Sequence, residues 1–200
     1  VLPRERSDAQ SADILSQVLP VVYENNDYAH TYSTAWWDKL KHGTAVYGNF
    51  WNSEKENGLG DIDIRPIDLM SIYWEEGIEV IQKSRNVFTV ELMDNDLLDE
   101  TYPDLVGKPH GNVIDVAAYN YDSTVDTSDK SVVVDWYYKV RTPSGKTVVH
   151  YVKYCGNTIL YASQNDPAYR DTGYYAHGEY PFVFDVLFPE KGSPAGFGYV

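Results

Sequence analysis

The chain has 200 residues, 43% hydrophobic and 23% charged, and its 30 acidic against 16 basic side chains give a formal net charge of −14. That length holds one large domain or two small ones, and the composition is that of a globular protein, not a disordered or fibrous one. Tight DNA binding takes several lysine or arginine contacts that release counterions, so so acidic a surface disfavours a conventional sequence-reading DNA binder, while suiting a protein that must let DNA pass without sticking.

Ser7, Asp8, Ala9 and Gln10 have the form of a capping box, and Ile14, Leu15 and Val18 follow at helical spacing. A first helix is expected from about Ser7. It should kink or restart at Pro20, whose ring removes an amide donor and crowds the preceding turn. A second helix takes Asn26 or Asp27 as N-cap, aligns Tyr28, Tyr32, Ala35, Trp36 and Leu40, and stops at Gly43. Lys39, Lys41 and His42 suit its negative end. Adjacent Trp36 and Trp37 cannot share one helix face, so one is expected to meet another segment or subunit.

Beyond Gly43 the period becomes two. "TAVYGNFWN" and "DIDIRPI", separated by the polar "NSEKENGLG", read as a hairpin. "MSIYW" and "EVIQKSRNVF" are strand candidates on either side of "EEG", and Thr89 is read as the cap of a short helix, "VELMDNDLLDE", ending before Tyr102-Pro103. After the loop "VGKPHGN", the segments "VIDVAAYNY", "SVVVDWYYKV", "TVVHYVKY" and "TILYAS" form an antiparallel meander with tight connections at Pro143-Ser144-Gly145 and Gly156-Asn157. "SQNDPAYRDTG" is a polar loop, and there is no internal repeat. The expected fold class is α+β: N-terminal helices packed on largely antiparallel sheet, with a short inserted helix.

No run approaches the roughly 18 apolar residues of a membrane helix and no basic-then-apolar leader opens the sequence, which reads as a soluble chain. The lone Cys155 has no second cysteine for an internal disulfide or a zinc pair, and suggests a reducing, intracellular setting. The final stretch, "YPFVFDVLFPEKGSPAGFGYV", is apolar and strand-like where a finished domain usually trails off in polar residues, and is read as the edge of a piece cut from a longer chain.

Among motifs that carry chemistry, Gly145-Lys146-Thr147 matches the end of a phosphate-binding loop, but Val140 stands where that loop needs a glycine and a strand follows where it needs a helix. It reads as a hairpin turn. Asp61 and Asp63 alternate with Ile62 and Ile64, so both carboxylates project from one strand face, where they can share a cation or act as an acid and base pair. The plainer reading is a solvated polar face opposite buried isoleucines. His30, His42, His110, His150 and His177 form no compact ligand array, no serine lies in GxSxG, and Cys155 reads as a packed small side chain. No catalytic, cofactor-binding or metal residue is assigned, and no enzymatic activity or cofactor is expected. The 18 tyrosines and 5 tryptophans are the one unusual feature. They admit a rival class, a secreted glycan-binding or glycosidase-like β domain whose rings stack on sugars.

Taken in order, "YENNDYAHTYSTAWWDKLKHGTAVYGNFWN", "GDIDIRPIDLMSIYWEEGI", "VIQKSRNVFTVELMDNDLLDETYPDL" and "HGEYPFVFDVLFPEKGSPAGFGYV" resemble the portal proteins of tailed bacteriophages and prophages, over nearly the whole chain. The elements that carry it are a helix leading to "GTAVY", the "PID" segment before a strand, a short helix ending at "YP", and "YPF" running toward a glycine-rich exit. None is a catalytic signature. The resemblance implies a structural subunit of a ring of about twelve copies at one capsid vertex, through which the terminase motor pumps double-stranded DNA and through which DNA is later ejected. It implies as partners the chain's own copies, terminase, capsid or scaffold proteins and head-completion proteins, with DNA passing without sequence-specific binding and no membrane. Its place would be the virion, and the host cytoplasm during assembly. The chain matches the portion before the long stem helices, a wing-like domain spanning residues 1–200 with stem, clip and crown largely absent. Such a piece is expected to be a monomer or weak oligomer in dilute solution.

Overall fold

The structure, a computed structural model, describes residues 1–103 and 129–199. In chain order its strands are β1 (Thr44–Asn52), β2 (Asp61–Ile67), β3 (Ile72–Trp74), β4 (Asn86–Asp94), β5 (Lys130–Arg141), β6 (Thr147–Cys155), β7 (Thr158–Ala162), β8 (Phe182–Val186), β9 (Phe188–Pro189) and β10 (Gly196–Phe197). Its main helices are α1 (Ala9–Asn25), α2 (Tyr28–His42) and α3 (Asn95–Thr101). The fold is α+β, as expected, with N-terminal helices followed by antiparallel sheets. The chain packs as two compact units. One comprises Val1–Ile67, Pro181–Glu190 and the residues from Ala195 on, and the other the described residues of Asp68–Tyr180 with Lys191–Pro194.

In the first unit, α1 and α2 accompany a three-stranded sheet ordered β2-β1-β8. The hairpin of β1 and β2 forms as expected, with Val46 opposite Ile67 and Asn52 opposite Asp61. The strand-like run after Tyr180 pairs within the chain, because β8 lies antiparallel to β1 and Phe182 is completely buried. The N-terminal capping box does not form. A 3-10 turn occupies Arg6–Asp8, α1 starts at Ala9, and Ser7 Oγ donates to Asp8 Oδ1 at 3.2 Å instead of binding a helix amide. Asp8, now at the cap position, has helical φ and ψ of −92° and −4°, where a side chain does not reach back over the first turn as an extended cap residue does.

Pro20 neither kinks nor restarts the helix, which runs unbroken to Asn25. The proline costs one hydrogen bond, that to the Ser16 carbonyl, and burial of Val22 beyond it holds the following turn in helical form. The apolar face also differs from expectation. Ala12 and Val22 are buried, whereas Ile14, Leu15 and Val18 lie about half exposed at 54%, 48% and 46%.

On α2 the buried positions are Thr31 and Ala35, and Tyr32, Trp36 and Trp37 are all exposed. Ala35 meets Ala45 and Tyr47 of β1, a close approach that only a small side chain permits, so the large rings are displaced to the flanks. The expected C-terminus is found. Gly43 closes α2 at φ +81°, its amide donating to the Lys39 carbonyl at 2.9 Å.

The second unit is built on a five-stranded antiparallel sheet ordered β3-β4-β5-β6-β7. The meander of β5, β6 and β7 follows the sequence, and Tyr137 stands opposite Tyr151. The helix expected from Thr89 is instead strand until Asp94, with Thr89 opposite both Ile72 and Asp135. β-Branched Val87, Thr89 and Val90 pack better on a pleated surface than along a helix, and β4 gains partners on both edges. Helix α3 begins only at Asn95 and ends at Thr101, before Tyr102-Pro103 as expected. Of "EVIQKSRNVF", residues Ile81–Lys83 form a 3-10 turn and only the end enters β4. "VIDVAAYNY", His110 and the loop before them lie outside the described residues.

Residues on both faces of this sheet are buried. Leu98 of α3 packs on Val133 and Cys155, while Val90, Val132 and Val134 gather with Phe88, Leu92 and Tyr154. That double burial explains why "SVVVDW" reads as a continuous apolar run.

Candidate functional site

The corner between α1 and α2 is fixed by one side chain. Asn26 Nδ2 donates to the Val22 carbonyl at 2.7 Å and the Ile62 carbonyl at 3.0 Å, while its Oδ1 accepts from Ile64 N at 3.0 Å and Lys55 Nζ at 2.9 Å. Its role is to bind β2 to the end of α1. Asp27 stands at the N-cap of α2 in a left-handed conformation, φ +44°, and makes no side-chain capping bond.

The two aspartates of β2 serve the same corner. Asp63 pairs with Lys55 at 2.8 Å, and Asp61 accepts from Asn25 Nδ2 at 3.1 Å and from the amide of Ile62 at 2.7 Å. The Asn25 bond, reinforced by the Ile62 amide, holds the Asp61 carboxyl below its ordinary range. The expected solvated acidic face is therefore knitted to α1 and to Lys55, and Ile62, expected to be buried, is 39% exposed.

Above this corner one ring of α1 and three of α2 form a ladder. Tyr23 and Tyr28 stack with centroids 4.6 Å apart, Tyr28 lies 6.2 Å from Tyr32, and Tyr32 stacks on Trp36 at 6.3 Å. The i, i+4, i+8 spacing of Tyr28, Tyr32 and Trp36 places these rings one above another on the helix. Lys39 continues the row, with its ammonium 5.2 Å from the Trp36 ring and 2.7 Å from Asp185 of β8. Trp37 points elsewhere and carries Lys41 at 4.8 Å from its ring.

The ladder walls a cleft of about 640 Å³ within this unit, floored by Tyr47, Ile62 and Val183 and edged by Asp185. Burial, aided by neighbouring Tyr28 and Asp185, pushes the Tyr47 phenol up to about 12. Tyr28 is raised as well, first by burial and then by Tyr23 and Tyr32. Both stay protonated at neutral pH. The cleft offers stacking faces and neutral hydroxyls, suited to an apolar or aromatic guest, and among the described residues its one charged lining group is Asp185.

The other motif residues lie apart. Gly145-Lys146-Thr147 is a hairpin turn, with Gly145 at φ +85° donating to the Thr142 carbonyl. His30, His42 and His177 are exposed and His150 is buried, and among the described residues no group of three or more His, Cys, Asp or Glu could hold a metal ion. Cys155 is buried with Leu98 and Val133, and burial pushes its thiol up. Cys155 is expected to resist a disulfide reagent such as Ellman's for as long as the protein is folded, and to react within the mixing time in guanidinium; fast reaction in buffer would show that the sheet opens there.

The Lys39–Asp185 and Asn26–Lys55 contacts escape sequence reasoning because they join residues 146 and 29 positions apart, and no local pattern marks such pairs. The ladder itself was visible as the spacing of Tyr28, Tyr32 and Trp36. Among the described residues no helix is long and apolar enough to cross a membrane. No protein-family model matches the chain, and no curated protein matches it.

Proposed function

We propose that the chain is a structural subunit of a tailed-phage or prophage portal, a ring through which double-stranded DNA is packaged and ejected, and that the exposed faces of α1 and α2 meet neighbouring copies. The observation that carries the assembly part is the exposure of Ile14, Val18, Val21, Tyr32 and Trp36 in a chain of net charge −14. Apolar surface left in water costs on the order of 25 cal/mol per Å², so such faces mark where another surface docks. A closed ring needs a head-to-tail interface, and aromatic side chains are favoured material for its core.

The family part rests on the ordered segments from "YENNDYAH" to "GFGYV". The acidic balance supports it, since attraction to passing phosphates would act as friction. ATP hydrolysis belongs, on this reading, to the terminase, in keeping with a strand and not a helix after Lys146. Terminase, capsid or scaffold proteins and head-completion proteins are the further partners.

Electron microscopy of the complete reading frame containing this chain is expected to show rings with a central channel, and light scattering of the chain alone small particles. Tyr32→Ser with Trp36→Ser is expected to weaken each interface about tenfold, about 1.4 kcal/mol, and so to remove nearly all rings at unchanged circular dichroism. A complete protein that stayed monomeric under assembly conditions would overturn the portal reading.

The tyrosine-lined cleft favours a second reading, a glycan-binding domain with rings stacked on sugars. Sugar-dependent quenching of tryptophan fluorescence is its test, and silence across a broad glycan panel removes it.

A further inference from the structure

The second unit contains a cleft of about 580 Å³ between the β5–β6 turn and the loop around Arg170 to Ala176. Arg141, Lys146 and Arg170 line it against a single carboxylate, Asp171. In a chain with almost twice as many acids as bases, this is a local excess of positive charge. None of the three cations has an ion-pair partner among the described residues. Arg141 is anchored by donating through Nε to the Gly145 carbonyl at 3.3 Å. Thr142 Oγ1 lies 2.9 Å from Ser144 Oγ and bonds the Lys146 carbonyl, so the turn that carries Lys146 is braced from within.

The same cleft is lined by His150, whose side chain is only 3% exposed. Its Nδ1 lies 2.9 Å from Ser163 Oγ, and that hydroxyl already accepts the Tyr151 amide at 3.0 Å. Ser163 is itself fully buried, and His150 Nδ1 is the acceptor left for its one proton. The bond therefore runs from the serine hydroxyl to Nδ1, and the imidazole proton sits on Nε2. Nε2 has no partner among the described residues. Burial also lowers the proton affinity of the ring, which stays neutral. An imidazole N–H that opens to the cleft, beside three cations without ion-pair partners among the described residues, suits an anionic oxygen.

We infer that this cleft binds the phosphate group of a small ligand, with His150 Nε2–H donating to one oxygen and Lys146 and Arg170 neutralising the charge. The volume is that of a small-molecule site. A long polyanion is the less favoured source of the phosphate, because a net charge of −14 repels it outside the cleft whereas a small dianion enters the local positive field. The hairpin turn "PSGKT" thus contributes a lysine to a phosphate site without the backbone cradle of a nucleotide-binding loop.

The test titrates the whole chain with inorganic phosphate, at ionic strength matched with chloride, following the His150 ring signals by NMR and the heat of binding. Saturable shifts at His150 are expected, with Lys146→Ala and Arg170→Ala each weakening binding about fivefold or more and Lys83→Ala, on an exposed turn of the same unit, leaving it unchanged. Lys146 and Arg170 are exposed, and unchanged circular dichroism will establish that their variants fold. No saturable shift, or an equal loss in Lys83→Ala, would overturn the site. A DNA duplex that bound there at lower phosphate concentration than inorganic phosphate would overturn the assignment to a small ligand.

Discussion

Asp135→Ala is expected to lower stability by about 3 kcal/mol and the thermal midpoint by roughly 6 to 12 °C. Asp135 on β5 stands opposite Lys153 on β6; their charged groups are 3.2 Å apart, and the side chains are only 17% and 16% exposed. The same carboxylate oxygen accepts the Tyr151 hydroxyl at 2.7 Å. Burial, and then the Asp135 charge, push the Tyr151 phenol far above its ordinary range, so this hydroxyl is a donor at every pH the fold survives. Truncation strands both an ammonium and a phenol in a largely water-excluded site, and the cost is that of the groups left behind more than of the pair itself. Asp135→Asn, which can still accept from Tyr151, should lose about half as much. Replacing Asp135 and Lys153 together by leucine should recover about half of the loss, since no charge is left uncompensated while the Tyr151 hydroxyl still lacks its acceptor. An unchanged midpoint for Asp135→Ala would mean that water reaches the site freely.

The second large effect is expected at Gly43. Its φ of +81° disfavours any side chain, and a Cβ there would overlap the backbone of Phe197, which passes against the end of α2. Tyr199 N donates to the Leu40 carbonyl at 2.9 Å and Leu187 N to the Gly43 carbonyl at 2.8 Å, so the obstructing chain is tied in place. Gly43→Ala should therefore cost about 3 kcal/mol, roughly 1 from the backbone conformation and the rest from displacing the Phe197 strand. Gly58 is the control. Its φ of +89° is equally unfavourable, but nothing lies within 4 Å of a Cβ there, and Gly58→Ala should cost only about 1 kcal/mol. Equal losses at the two positions in urea denaturation would mean that Phe197 yields without cost.

These two sites also show what the sequence could and could not disclose. The end of α2 was legible because a glycine after Lys39, Lys41 and His42 is a local signal, and the β5–β7 meander because alternation and turn residues are local too. The contact of Phe197 with Gly43 was not, since it joins residues far apart in the chain. Thr89 misled for a different reason: a threonine followed by acidic residues resembles a helix cap, but tertiary pairing on both edges of β4 outweighs it. On α1 the spacing of Ile14, Leu15 and Val18 announced a helix correctly, while saying nothing of what covers that side. The candidate site divides in the same way. The ladder follows from helical periodicity, but the Asn26 hub and the Lys39–Asp185 pair depend on how the chain returns.

The order β2-β1-β8 has a consequence for synthesis. β1 is the central strand of its sheet, yet its second partner is made only after residues 68–180 of the second unit, as Thr44 waits for Val186 and Gly48 for Phe182. On the ribosome the β1–β2 hairpin emerges early with one edge open, while the inserted unit has all of its own strands and can complete its meander first. Closing so long a loop adds only a logarithmic entropic penalty, but it makes sheet completion the late, non-local step. Until β8 arrives, the free edge of β1 is open to strands of other nascent chains, and chaperone occupancy during translation should peak between the emergence of Ile67 and that of Phe182.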